Sequence, residues 1–245
     1  MRRILALLIG LGLSLPALAA QGPGCGAPTE WLQSPPLRAV AAGLTAGHLS
    51  ILAVGTASIT GAGASSPAAA WPARLEALLR DRRPDLQLRV EVRGTRGSTA
   101  TDQWHEIQDA LRGSPPPTLV IWQAGTTEAL RSLPMDDMAT TLGEGLESLH
   151  ARDIDAVVMG IQFSRFLRAN VDVDPYRDAL RVVAAANHAG FFSRYDIMRA
   201  WAEAGTVDVE RASREHRTAE IDKLNDCLAR ALAAFIRDGV EEARR

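Results

Sequence analysis

Short apolar runs alternate with amphipathic stretches along this chain, and that alternation narrows the possible folds more than any other feature. Residues 49–55 (LSILAVG) form an apolar run ending in glycine, the pattern of a buried parallel strand. Residues 71–83 place Trp71, Leu75, Leu78 and Leu79 on one helical face, with Pro72 in the first turn and Pro84 as a stop. Residues 86–92 alternate Leu86, Leu88, Val90 and Val92 with polar partners, which predicts a strand near a sheet edge. A helix over 101–111 and a turn over 114–117 lead to a third strand at 118–125 (TLVIWQAG). The cycle repeats with a helix over 134–151, turning Met135, Met138, Leu142, Leu146 and Leu149 inward, and a strand at 156–163 (AVVMGIQF). It repeats again with a helix over 175–189, capped by Gly190, and a strand at 191–197. A last helix over 218–240 aligns Ile221, Leu224, Leu228, Leu232 and Ile236 on one stripe. The alternation predicts an α/β chain: a five-stranded parallel sheet with helices on both faces, in three α/β/α layers. Such sheets bind ligands at the carboxyl ends of their strands, here just after Gly55, Val92, Gly125 and Phe163.

The N-terminus has the order of a targeting segment. Arg2 and Arg3 precede an apolar run over 4–15, and Pro16-Ala17-Leu18-Ala19 supplies a small-x-small cleavage pattern. These features predict a signal peptide over 1–19, removed before Ala20, and a mature protein exported to the periplasm or beyond the cell. No later stretch reaches the roughly 18 apolar residues of a spanning helix, so no stable membrane span is expected after cleavage. Residues 20–47, rich in Gly, Pro and Ala, read as a lead-in with one short helix, and 48–245 as a single domain. In an oxidising compartment Cys25 and Cys227 are expected to pair, the alternative being two free thiols. Without a nearby His pair they have no metal-site spacing, and no cofactor is expected. A net charge of -2 offers no field for nucleic acid, and 5% aromatic residues no base-stacking surface. Gly61-Ala62-Gly63 has no Lys-Ser/Thr after it and is not a phosphate-cradling loop.

The expected strand tips read Gly55-Thr56-Ala57-Ser58, Arg93-Gly94-Thr95-Arg96-Gly97 and Gly125-Thr126-Thr127-Glu128. In order and spacing they resemble the SGNH (GDSL-type) hydrolases, secreted esterases and lipases on a flavodoxin-like sheet. ILAVGTASITGAGASSPAAAWPARLEALL is similar to that family's first block, VRGTRGST to its second and LVIWQAGTTEALR to its third. DCLARALAAFI is similar to the helix after its last block. The resemblance implies a serine nucleophile, a histidine base supported by an aspartate, and an oxyanion hole of backbone N–H groups and an Asn side chain. It also implies a small-molecule, lipid or glycan ester as ligand.

The chain departs from this pattern where the chemistry sits. Gly55 and Gly61 keep the six-residue spacing of the first block, which puts Ala57 at the nucleophile position between Thr56 and Ser58. A one-residue slip would instead align Ser58. Thr127 stands where the third block has Asn, and Gly97 is either the second-block oxyanion glycine or a plain turn residue. In the last block Arg217 and Ala219 cover the Asp-to-His stretch; only His216 lies close, and Ser213 rather than Asp stands three residues before it. His48, His105, His150 and His188 fall on helices or away from strand tips. The expected protein is therefore an exported hydrolase-like chain that has lost its catalytic set but keeps a pocket around Thr56, Ala57, Ser58, Gly97, Thr127 and Ala219. The alternatives are an active esterase using Ser58, with His216 or an unrecognised base, and a purely structural exported domain. Rebuilding the set by Ala57→Ser, Thr127→Asn, Arg217→Asp and Ala219→His is expected to restore turnover only if a loop before the last helix can deliver the new imidazole.

Overall fold

The computed structural model describes residues 25–113 and 115–245. The expected signal peptide and its cleavage site before Ala20 lie outside these residues, as does Ser114 of the expected turn. Five parallel strands form one sheet in the order β2-β1-β3-β4-β5: β1 (His48–Gly55), β2 (Gln87–Gly94), β3 (Leu119–Gln123), β4 (Asp155–Met159) and β5 (Gly190–Phe192). This is the expected parallel sheet, in the flavodoxin-like order. β3 is buried at every residue and β1 at nearly all, which is why they read as continuous apolar runs. β2 pairs only with β1, and its outer face opens to solvent until Val92 is 40% exposed; hence its alternating pattern.

Successive strand side chains point to opposite faces. On one, Ile51, Ala53, Ile121 and Met159 pack with α1 (Arg38–Ala46), α2 (Trp71–Arg82) and α9 (Arg217–Ala243). On the other, Leu52, Val54, Val120 and Trp122 pack with α3 (Ala100–Leu111), α5 (Met135–His150) and α7 (Asp174–Ala186). The lead-in is sewn to α9. Leu32, Leu37 and Val40 are buried in the first of these clusters, and Leu37 N donates to Gly239 O at 2.8 Å. Gly239 leaves the room: a Cβ there would stand 2.6 Å from Leu37 and Ser34 side-chain atoms. The expected Cys25–Cys227 disulfide closes this seam, with Cα atoms 5.0 Å apart.

Two expectations about the last third are corrected. Gly190 does not cap the preceding helix; α7 ends at Ala186, and His188 takes the left-handed turn at φ 57. Gly190 opens β5, where a Cβ would stand 2.9 Å from the Phe235 ring of α9. The fifth strand does not run to Ile197 either. It stops at Phe192, and Arg194–Glu203 is a helix, α8, that buries Tyr195, Ile197, Trp201 and Ala202. That spacing has a helical period, and Ile197 N already donates to Ser193 O at 3.1 Å. Two six-residue helices, α4 (Thr126–Arg131) and α6 (Arg165–Asn170), follow β3 and β4 and were too short to show a period.

At the amino end of the sheet an open cleft of about 890 Å3 is lined by Arg38, His150, His188 and Asp155, among others. Burial pushes the Asp155 carboxyl up to about 6, although the Val40 amide donates to it at 2.9 Å. A carboxyl raised in the folded state takes up protons on folding, so its favourable contribution is complete below the unfolded pKa. It is lost as pH climbs through about 6. Asp155→Asn should therefore leave stability at pH 4 nearly unchanged. At pH 8 it should raise it by about 1–2 kcal/mol, allowing for solvent screening of a partly exposed group. Urea melts at the two pH values check this.

Candidate active site

β1 ends at Gly55, where a Cβ would stand 2.9 Å from the Gln123 Cβ. Glycine here lets Gln123, at the end of β3, lay its carboxamide across the carboxyl end of β1. The following turn is closed by Ile59 N donating to Thr56 O (3.0 Å) and Ala62 N to Ala57 O (3.2 Å), with Gly61 and Gly63 at φ +80 and +83. Ile59 is fully buried and anchors the turn. Its neighbour Ser58 points into a cleft, with Oγ 2.9 Å from Nε2 and 3.1 Å from Oε1 of Gln123. Gln123 Nε2 also donates to Thr56 Oγ1 at 3.2 Å.

Ser58 Oγ has one more neighbour, Arg194 Nη1 at 3.4 Å. Arg194 is the first residue of α8, directly beyond β5, and only 2% exposed. Its Nη2 reaches Gln162 Oε1, after β4, at 3.4 Å, and its Nε has no partner. Among the described residues no carboxylate lies within ion-pair distance. Burial alone draws its pKa down to about 10.

The cleft these groups share has a volume of about 260 Å3. Ser58, Gln162 and Arg194 form its polar end, and Phe163, Met198, Val207, Ile221 and Leu224 supply apolar wall. Asp208 and Glu210 also line it; Asp208 Oδ1 is taken by Arg165, and its buried Oδ2 has no hydrogen bond and lies 3.7 Å from Arg211 Nε. Burial pushes Asp208 up, but Arg165 Nη1 at 2.7 Å, together with the Arg211 amide, holds it below the ordinary range. Glu210 accepts from Ser164 Oγ (2.7 Å) and from the Arg165 and Phe166 amides, and these bonds outweigh burial.

The other positions singled out in the sequence are scattered. Ala57 does not line this cleft; its carbonyl accepts from Thr60 Oγ1 at 3.0 Å. Gly97 sits at φ +77 in a separate groove with Arg93, Arg96 and His105. Thr127 is buried in the first turn of α4, beside a buried Glu128 whose Oε1 accepts from Ala100 N at 2.5 Å and ties down the start of α3. The segment over Arg217 and Ala219 is no loop, because α9 begins at Arg217. Its Ile221, Leu224 and Asn225 face the cleft, whereas Ala219 is exposed. His216 is exposed at the start of α9, its Nδ1 2.9 Å from Ser213 Oγ. None of the five histidines lines the cleft.

Sequence reasoning missed Gln123, Gln162 and Arg194. The two glutamines close or interrupt apolar runs at strand exits (VIWQ, GIQF), which is a readable signal. Arg194 was hidden inside an expected strand.

The model of the non-GDSL lipase-like family matches residues 24–242. The chain belongs to that family. No curated protein matches it by sequence. Solved structures of esterases share its fold. AlinE4, an SGNH-hydrolase family esterase, is 22% identical, with a TM-score of 0.54 over 71% of this chain and 89% of that one. A catalytic mutant of Axe2, an acetylxylan esterase from Geobacillus stearothermophilus, is 19% identical, with a TM-score of 0.59 over 79% and 95%. The psychrotrophic esterase EstA from Pseudoalteromonas sp. is 15% identical, with a TM-score of 0.54 over 74% and 96%. At these identities the likeness is one of fold, and membership of the non-GDSL lipase-like family leaves activity to be argued from the site.

Proposed function

We propose that this member of the non-GDSL lipase-like family is an exported, non-catalytic binding protein, with its ligand held in the cleft at the carboxyl ends of the strands. One observation carries the reading: among the described residues the Ser58 hydroxyl meets a carboxamide and a guanidinium, and no imidazole or carboxylate. A serine hydroxyl is a poor nucleophile until a base takes its proton. Gln123 cannot act as that base, and a cationic guanidinium has no free lone pair to offer. Export is supported by the Cys25–Cys227 bridge, which suits an oxidising compartment, and by the order of residues 1–19. No helix among the described residues is long and apolar enough to cross a membrane.

The second reading, an esterase using Ser58, draws on the position of that hydroxyl at the polar end of the cleft. Assays with p-nitrophenyl acetate, butyrate and octanoate separate the two. The binding-protein reading expects wild type and Ser58→Ala to hydrolyse all three at the same background rate. Saturable turnover that Ser58→Ala abolishes would establish the esterase. N-terminal sequencing of the exported protein, expected to begin at or near Ala20, tests the export.

A further inference from the structure

We propose that Arg194 is the seat for a carboxylate, and that the ligand of this cleft is a small carboxylic acid with an apolar body. The inference rests on the reading of the cleft as a binding site and names what it binds. Arg194 is 2% exposed, yet among the described residues its only partners are the Ser58 hydroxyl and the Gln162 side-chain oxygen, both neutral and at 3.4 Å. Its Nε is buried without any partner. A buried, uncompensated charge is strongly destabilising, so folded chains pair such groups or neutralise them. Arg194 also opens α8, where the helix dipole is positive and a cation is least at home.

The nearby acids do not relieve it. Asp196 is taken by Arg177 (2.8 and 3.1 Å) and Ser193 Oγ, Asp208 by Arg165, and Glu210 by the start of α6. The missing counter-charge is thus an anion from outside the chain, and the cleft that Arg194 lines is open to one. A guanidinium fork matches the two oxygens of a carboxylate. The Ser58 hydroxyl and the Gln162 carboxamide stand beside it. A phosphate dianion fits less well, because one guanidinium would face two charges. Phe163, Met198, Val207, Ile221 and Leu224 give the cleft its apolar surface, alongside the paired Arg165 and Asp208. The volume of about 260 Å3 falls below the range of about 300–1,000 Å3 common for drug-sized ligands, and suits a short or medium acyl chain.

Calorimetric titration of the full mature protein with octanoate, octan-1-ol and octyl phosphate tests the assignment, alongside thermal melts of Arg194→Met. Wild type should bind octanoate about ten- to a hundred-fold more tightly than octanol, the worth of a charge-assisted pair. Octyl phosphate should bind more weakly than octanoate. Arg194→Met should bring octanoate down to the level of octanol, while its unliganded melting temperature stays at or above that of wild type. A merely structural arginine would lower the melting temperature and leave the octanoate preference intact, which would overturn the proposal. So would equal affinity of wild type for octanoate and octanol, a reading that stands even if Arg194→Met fails to fold. A tighter octyl phosphate complex would overturn the choice of carboxylate. Turnover of p-nitrophenyl octanoate would refute the non-catalytic reading by itself, and the octanoate preference of Arg194 would still be measured separately.

Discussion

The four-fold variant Ala57→Ser, Thr127→Asn, Arg217→Asp, Ala219→His is expected to hydrolyse esters no faster than wild type. Acyl transfer needs nucleophile, base and oxyanion donors at once, and these act as a unit; in a serine hydrolase the set is worth about a million-fold in rate. The chain before α9 would have to swing an imidazole to the serine, and it has no freedom to do so. α9 starts at Arg217, and Ala219 lies in its first turn, exposed, while Ile221, Leu224 and Asn225 turn to the cleft. An Ala219→His ring would therefore start on the solvent side of the helix. Thr127 is fixed in the first turn of α4, outside the Ser58 cleft, so an Asn in its place would not point its amide at the Ser58 end. Stopped-flow or endpoint assay of the variant with p-nitrophenyl butyrate measures this, and a rate thousands of times above wild type would show that the helix start rearranges.

Removing the disulfide should have the largest effect on stability. Cys25 and Cys227 are 202 residues apart, and a crosslink closing so long a loop is worth about 5 kcal/mol in the chain-entropy account. Total stabilities of about 5–15 kcal/mol make that a large share. The bridge closes a seam also held by the Leu37–Gly239 backbone bond, the Asp238 carboxylate accepting from Ser34 N at 2.8 Å, Trp201 Nε1 donating to Gly26 O at 2.8 Å, and the packing of Leu32, Leu37 and Val40. The pair Cys25→Ala with Cys227→Ala should shift the denaturant midpoint sharply down and free the lead-in first, seen as early protease cleavage before residue 47. An unchanged midpoint would mean that packing alone holds the seam.

The sheet was legible because β1, β3 and β4 are buried on both faces and must be apolar throughout, while β2 at the edge must alternate. The start of α8 was not legible, because Phe191 to Ile197 carries the aromatic and branched residues of a strand. Its helix depends on Ser193, whose carbonyl accepts from Ile197 N and whose hydroxyl meets Asp196. That error hid Arg194, a buried guanidinium with no carboxylate at ion-pair distance among the described residues. The spacing of Gly55 and Gly61 did locate the turn after β1. It could not say that Ile59 is the anchor and Ser58 the side chain in the cleft, since that depends on how the turn packs against the sheet.

The account stands or falls on whether the Ser58 hydroxyl can act as a nucleophile. Incubation of the exported wild-type protein with a serine-reactive fluorophosphonate, followed by peptide mass analysis, tests it directly. The account predicts that the peptide carrying Ser58 keeps its unmodified mass; stoichiometric phosphonylation of Ser58, absent in Ser58→Ala, would contradict it.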